Sequence, residues 1–259
     1  MSFWLITAGE SLPELPVLAH LLGSAFHLDR DTAASEARKS WGVLGTGLTE
    51  AEADSLAAGC SDFGVRTIKL PAPEPMPRPE HAVKAVIGNG AAEFIFAGGL
   101  SIGAAPGEIE VLAAAPIKHE FTRTETAAPP PSAGGKALRL GIMAVTGLPL
   151  GFGKPKEVKK EVRGSELSFY LDIVPAAGLR RIRVSSDDFD FSCLKSGKTY
   201  SSQVNFRLLC AELAAFAPGA SRNAGLRAIL EGRPLWQLAY NTLADLEKET
   251  LRLVLARGK

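Results

Sequence analysis

Hydrophobic and polar positions along this chain change period several times, and the most informative change lies between Glu166 and Phe216. Leu167 to Val174 and Leu179 to Val184 are apolar runs of strand length, joined by Pro175-Ala176-Ala177-Gly178. Glycine supplies a positive φ and proline cannot donate to a ladder, so this connector predicts a hairpin loop. In the second run Leu179, Arg181 and Arg183 face one way while Arg180, Ile182 and Val184 face largely the other. Such incomplete alternation predicts a sheet with one wet face. Phe189-Asp190-Phe191 and a polar turn follow, then a helix from about Ser201 or Ser202. Its stripe at spacings of three and four holds Phe206, Leu209, Cys210, Leu213 and Phe216 or Ala217. A twisted antiparallel sheet closed by an amphipathic helix is the expected organising unit.

Phe3 to Thr7 predicts a buried strand, and Leu12 to Leu22 a helix with Ser11 as N-cap and Pro13 in its first turn. Asp31 is placed to cap a second helix, Thr32 to Ser40. Trp41 to Leu44 reads as a strand, and Gly45-Thr46-Gly47 as a turn requiring positive φ. Thr49 with Glu52 three residues on predicts a capping box opening a helix to about Cys60. Val65 to Leu70 closes the order strand, helix, helix, strand, helix, strand.

Leu21-Leu22-Gly23, Glu36-Ala37, Gly47 to Ala53 and Phe63 to Ile68 carry a resemblance to the C-terminal domain of the bacterial ribosomal stalk protein. It covers about the first quarter of the chain and implies a small βααβαβ fold. Members of that family recruit translation GTPases through a helical face of clustered lysines. This chain has Arg38 and Lys39 in the comparable region, while Glu50, Glu52 and Asp54 open the third helix. The lysine face is absent, so the expectation is a fold reused for another partner.

Proline at 71, 73, 75, 77 and 79 prevents helix and sheet and favours polyproline II, which predicts a linker over 71–80. Beyond it, Val83 to Ile87, Ala92 to Phe96, Ile109 to Leu112, Ile117 to Arg123 and Ala137 to Val145 read as strands. Thr124 to Lys136, with Pro129-Pro130-Pro131 and Gly134-Gly135, is expected to be a mobile loop. With the pair after Glu166, about seven mostly antiparallel strands precede a helix, an order that resembles the pleckstrin-homology-like barrel. A short helix near Asn223 to Leu230 and a longer one from Leu235 to Ala256 lie outside that pattern. The expected class is α+β: a small α/β domain over 1–70, a proline-rich linker, and over 81–259 an antiparallel barrel or sheet capped by C-terminal helices.

Composition narrows the chemistry. The 259 residues carry a formal charge of +1, which excludes a nucleic-acid binder driven by whole-molecule charge. Cys60, Cys193 and Cys210 are odd in number and widely spaced, so free thiols in a reducing compartment are expected. Met1 to Glu10 has no basic leader, and no stretch approaches the ~18–20 apolar residues that span a bilayer. The expectation is a cytoplasmic bacterial protein.

No motif announces a reaction. The third glycine of a dinucleotide fingerprint starting at Gly45 falls on Glu50, whose charge would repel pyrophosphate. Gly153-Lys154 has Leu148 where a P-loop needs its first glycine and Pro155 where it needs Ser or Thr. His20, His27, His81 and His119 stand apart, without metal-ligand spacing. Asp187-Asp188-Phe189-Asp190 concentrates carboxylates in a turn, where hydrogen bonds to local amides are the expected use. No catalytic, cofactor-binding or metal residues are therefore nominated.

The charged stretch that stands out runs from Lys154 to Arg163. Lys154, Lys156, Lys159, Lys160 and Arg163 oppose Glu157 and Glu161 in what reads as a hairpin tip. A contact for anionic lipid, phosphate or nucleic acid is one function it supports. The leading expectation is a non-catalytic adaptor, acting through another protein and needing no cofactor. An enzyme whose site assembles from distant residues is the third reading. The oligomeric state is left open.

Overall fold

The computed structural model describes residues 2–88, 90–127, 158–176, 180–234 and 240–258. The chain is α+β, with a three-stranded sheet, a seven-stranded sheet and helices on both. Residues 1–118 and 167–259 form one compact unit and residues 119–166 a second, of which the segments 119–127 and 158–166 are described, both as strand.

The first sheet has the order β2-β1-β3, from β1 (Phe3–Thr7), β2 (Val43–Leu48) and β3 (Thr67–Pro71), all antiparallel. Alternation along β1 sends Leu5 and Ile6 to opposite faces, and both are fully buried. Leu5 meets Leu18, Leu21, Leu22, Leu56 and Cys60 from α1 (Leu15–Phe26) and α3 (Glu50–Asp62). With α2 (Arg30–Ser40) the element order is βααβαβ, as the sequence predicts.

The helix boundaries differ in detail. Proline at 13 disfavours helical backbone at Leu12, and α1 starts three residues later, with Pro16 in its first turn. It runs past Gly23, whose missing side chain leaves room for Ala33 of α2 at 3.3 Å from an ideal Cβ, and ends at His27 in the left-handed region. The cap of α2 is Asp29 in place of Asp31, accepting from the amides of Asp31 and Thr32 at 3.0 Å. The capping box on α3 is present: Glu52 N–H donates to Thr49 Oγ1 at 3.3 Å and Thr49 N–H to Glu52 Oε2 at 2.8 Å. Gly45 to Gly47 belongs to β2, where only Gly47 has a positive φ, of 69°.

Ala72 to Pro79 forms neither helix nor strand. The second sheet has the order β10-β7-β8-β9-β4-β5-β6. Its strands are β4 (Glu80–Ile87), β5 (Ala92–Phe96), β6 (Ser101–Ala104), β7 (Ile109–Ala127), β8 (Val158–Pro175), β9 (Ile182–Ser185) and β10 (Ser221–Arg222). The expected runs at 109–112 and 117–123 are one strand, while 137–145 lies outside the described residues. The β8–β9 hairpin pairs Asp172 with Arg183 and Ile173 with Ile182. Two pairs, β4 with β9 and β7 with β10, are parallel.

One face of this sheet is covered by α4 (Ser202–Phe216), capped by Ser201, whose hydroxyl accepts from the Val204 amide at 3.3 Å. Phe206, Leu209, Cys210 and Leu213 are fully buried against Phe94, Leu171, Ile182 and Val184, on the predicted stripe. The other face is wet over β4 and β5, where His81, Val86 and Glu93 are exposed. Toward β7, β8 and β9 it is covered by α6 (Leu243–Arg257), which puts Leu246 and Leu253 against Val111, Ala113 and Val174. Arg181 and Arg183 are therefore buried, and their charges are met by acids. Arg183 makes a bidentate pair with Asp172 at 2.6 and 2.8 Å, and Arg181 bonds Glu247 at 2.7 Å. Burial alone would pull the Arg183 guanidinium down, but hydrogen bonds and charge from Asp172 and Glu247 hold it above its ordinary value.

Helix α6 also touches the first sheet. Leu255 and Ala256 pack on Ile6, Val43 and Leu70. Arg252, fully buried, donates to the carbonyls of Gly9 at 2.6 Å and Glu10 at 3.2 Å. Gly42, at φ +81°, allows this, because an ideal Cβ there would lie 2.5 Å from Arg252 Cδ. Beside it, Tyr240 donates to Glu249 and stacks on Trp41 at 4.0 Å, while Asn223 caps α5 (Ala224–Leu230). The expected start of the last helix at Leu235 lies outside the described residues, and its described part begins at Leu243.

Candidate functional site

A groove of about 530 Å³ runs between α1 and α3. Its floor is the buried row Leu21, Leu48 and Leu56, the outer edge of the core beneath the three helices. Small residues make the opening. Ala51, Ser55 and Gly59 recur every four positions on α3, one above another on a single face. Ser24 and Ala25 face them from α1. Neither helix has side chains long enough there to close the gap.

Aromatic residues mark the groove's lining. Phe26 ends α1 and is 42% exposed, and Phe63 follows α3 and is 50% exposed. The His20 ring sits 5.1 Å from the Phe63 ring, tilted by 58°. Large apolar side chains left this open usually await a partner when they are grouped around a concavity.

The electrostatics are one-sided. Leu15 to Phe26 contains no Asp, Glu, Lys or Arg, although several of its residues face solvent. Glu50, Glu52, Asp54 and Asp62 stand on α3, which has no Lys or Arg. Lys69 of β3 bridges two of them, at 2.5 Å from Asp54 and 3.4 Å from Glu50. That pairing, led by the hydrogen bond to Asp54, raises Lys69 above its ordinary value. Glu52 is committed to its cap: the Thr49 amide and then the Thr49 hydroxyl hold its carboxyl below the ordinary range. Chemically the groove offers apolar contact, with His20, Ser24, Glu52 and Ser55 as its polar lining groups and no Lys or Arg.

A second depression, of about 690 Å³, lies between α1 and α2 and includes Leu15, Gly23, Arg30 and Arg38. Helix α1 is thus flanked by a hollow on each side. Neither was nominated from the sequence, which registered His20 as one isolated histidine and Phe63 as part of a turn. The available signal was the absence of charge from a helix twelve residues long.

The nominated basic stretch takes a different position from the one expected. Lys154 and Lys156 lie outside the described residues. Lys159, Lys160 and Arg163 fall within strand β8, so the stretch from Val158 onward is strand and not loop, and their side chains lie outside the described set. The acidic turn behaves as predicted at Asp190, which accepts from the Ser192 amide at 3.0 Å and the Ser192 hydroxyl at 2.9 Å. Those bonds, the hydroxyl first, lower its carboxyl below the ordinary range.

The cysteines are unpaired thiols. Burial pushes Cys60 up to about 11 and raises Cys210 further, so both are protonated at neutral pH and pack as small apolar groups. Among the described residues no group of His, Cys, Asp and Glu is placed to hold a metal, and no helix is long and apolar enough to cross a membrane. No family model, curated protein or solved structure matches the chain.

Proposed function

We propose that this protein is a non-catalytic binding protein that engages another protein through the groove between α1 and α3. The observation that carries this reading is the solvent side of α1, uncharged along its length and set beside the exposed rings of Phe26 and Phe63. Solvent-facing helix surfaces ordinarily carry charge, and an apolar concavity edged by polar residues is the form of a contact site. The groove's acid, Glu52, is engaged by Thr49, and among the described residues no bond joins a groove hydroxyl to His20, which favours binding over catalysis.

The test uses the full chain as bait from a lysate of its source cells, beside two variants. Gly59→Leu fills the groove, and an ideal Cβ at Gly59 meets nothing within 4 Å, so the helix accepts the change. Leu208→Asp alters the exposed side of α4, in the other sheet's layer. The expected result is a protein retained by wild type and Leu208→Asp and lost with Gly59→Leu. Identical recovery with all three baits would overturn the proposal.

A further inference from the structure

Resting on that reading, we infer that the partner presents an amphipathic helix whose apolar stripe is bordered by Lys or Arg. Geometry selects the helix. The groove is walled by two helices, and its α3 wall is a line of small residues at four-residue spacing, Ala51, Ser55 and Gly59. A line of that kind is a channel into which the ridge of a third helix packs. Helices α1 and α3 have 12 and 13 residues, which gives walls of about 18 Å, or three turns of a partner helix. Such a partner would set anchors at i, i+4 and i+7 over the floor of Leu21, Leu48 and Leu56.

Charge selects the flanks. Glu52 is the acid that lines the groove, no Lys or Arg lines it, and α1 contributes no Asp, Glu, Lys or Arg, while Glu50 and Asp54 are turned to Lys69 of β3. Asp62 lies one residue from Phe63 and has no ion pair among the described residues. An incoming acidic flank would meet like charge, whereas a basic one would be steered in and held at the rim. The apolar floor supplies the affinity and the rim discriminates between partners.

Direct measurement uses designed peptides and the full-length chain. Three labelled peptides of about 18 residues, five helical turns, serve as probes. One carries a leucine stripe flanked by lysine, one the same stripe flanked by glutamate, and one the lysine composition with its stripe scrambled. Fluorescence anisotropy is followed at low and high salt, with thermal melts confirming that each variant is folded.

The lysine-flanked stripe is expected to bind at least about tenfold more tightly than the glutamate-flanked one. It should weaken at high salt, lose binding to Gly59→Leu, and weaken against Asp62→Lys. Equal binding of both stripes, abolished in Gly59→Leu, would overturn the basic-flank inference and leave the groove as a contact site. Binding of the scrambled peptide as tight as the striped one would overturn the helix, since charge alone would then suffice. Failure of both striped peptides to bind would overturn the inference entirely, while the lysate comparison would still decide the groove.

Discussion

Helices α3 and α4 both lie on sheets, both begin at a hydroxyl N-cap, and their outer surfaces differ. On α4 the large side chains Phe206, Leu209 and Leu213 fill the space above the second sheet and none is exposed. The apolar residues left outside, Val204 and Leu208, stand among Gln203, Arg207 and Glu212. On α3 small side chains occupy the face toward α1, and the gap they leave opens onto Phe26 and Phe63. One helix completes a core and the other leaves a core open at its edge. Packing to interior density is the ordinary outcome for a helix on a sheet, so the unfilled edge is the part that asks for a functional explanation.

The strongest way to break that contrast is to make α4 as loose as α3. Phe206→Ala removes a fully buried ring packed 5.5 Å from Phe169, and should cost about 3–5 kcal/mol through lost burial and the cavity left behind. That is a large share of the stability of a typical domain. Thermal or urea unfolding measures it. A loss below about 1 kcal/mol would show that α4 is held elsewhere and that its stripe is not the closed counterpart of the α3 face.

The face under α6 offers a comparable effect by a different route. Asp172→Ala leaves Arg183 and Arg181 buried beside Glu247 alone. Stranding a buried charge costs about 3–5 kcal/mol, whereas a matched apolar replacement of a pair is often neutral. Asp172→Leu with Arg183→Met should therefore recover much of the loss in a double-mutant cycle. Additive losses across the cycle would mean that the pair does not act as a unit.

These two sites also show what the sequence made legible. The α4 stripe repeats at three and four residues, and the box Thr49 to Glu52 is complete within four positions, so local pattern was enough for both. Arg181 and Arg183 alternate with Ile182, a pattern identical for a wet face and for one covered by a distant acid. Their partner Glu247 lies 66 residues from Arg181, on a helix whose approach no local signal encodes. The same holds for the parallel pairing of β4 with β9, which joins Glu80 to Ile182. The groove needs two helices at once. Uncharged α1 and the small residues at 51, 55 and 59 were each visible, but their juxtaposition is a property of the fold.

A smaller change sharpens the contrast from the α3 side. Gly59 lies inside a helix, where glycine costs roughly 0.5–1 kcal/mol relative to alanine, and its Cβ position is open. Gly59→Ala should stabilise the protein by up to about that amount while narrowing the groove, so melting temperature rises as binding of the lysine-flanked peptide falls. Stability and binding moving together in either direction would indicate that Gly59 is structural alone.

The smallest expected effect separates the two N-caps by pH. On α3 the cap includes the Glu52 carboxylate, held below its ordinary range by the Thr49 amide first and the Thr49 hydroxyl second. A depressed carboxyl contributes stability that is fully present above its unfolded value and is lost as the pH falls through its folded value. Asp29 at the start of α2 behaves likewise, lowered chiefly by the Thr32 hydroxyl and then by the Thr32 amide. The cap of α4 is the Ser201 hydroxyl, which does not titrate. Acidification below the ordinary carboxylate range should therefore fray the first turns of α2 and α3 and spare that of α4. Amide exchange, corrected for its intrinsic pH dependence, reports each turn separately. In Glu52→Gln the acid response of α3 should vanish while that of α2 persists. An unchanged response of α3 in that variant would place its acid sensitivity in some group other than the cap.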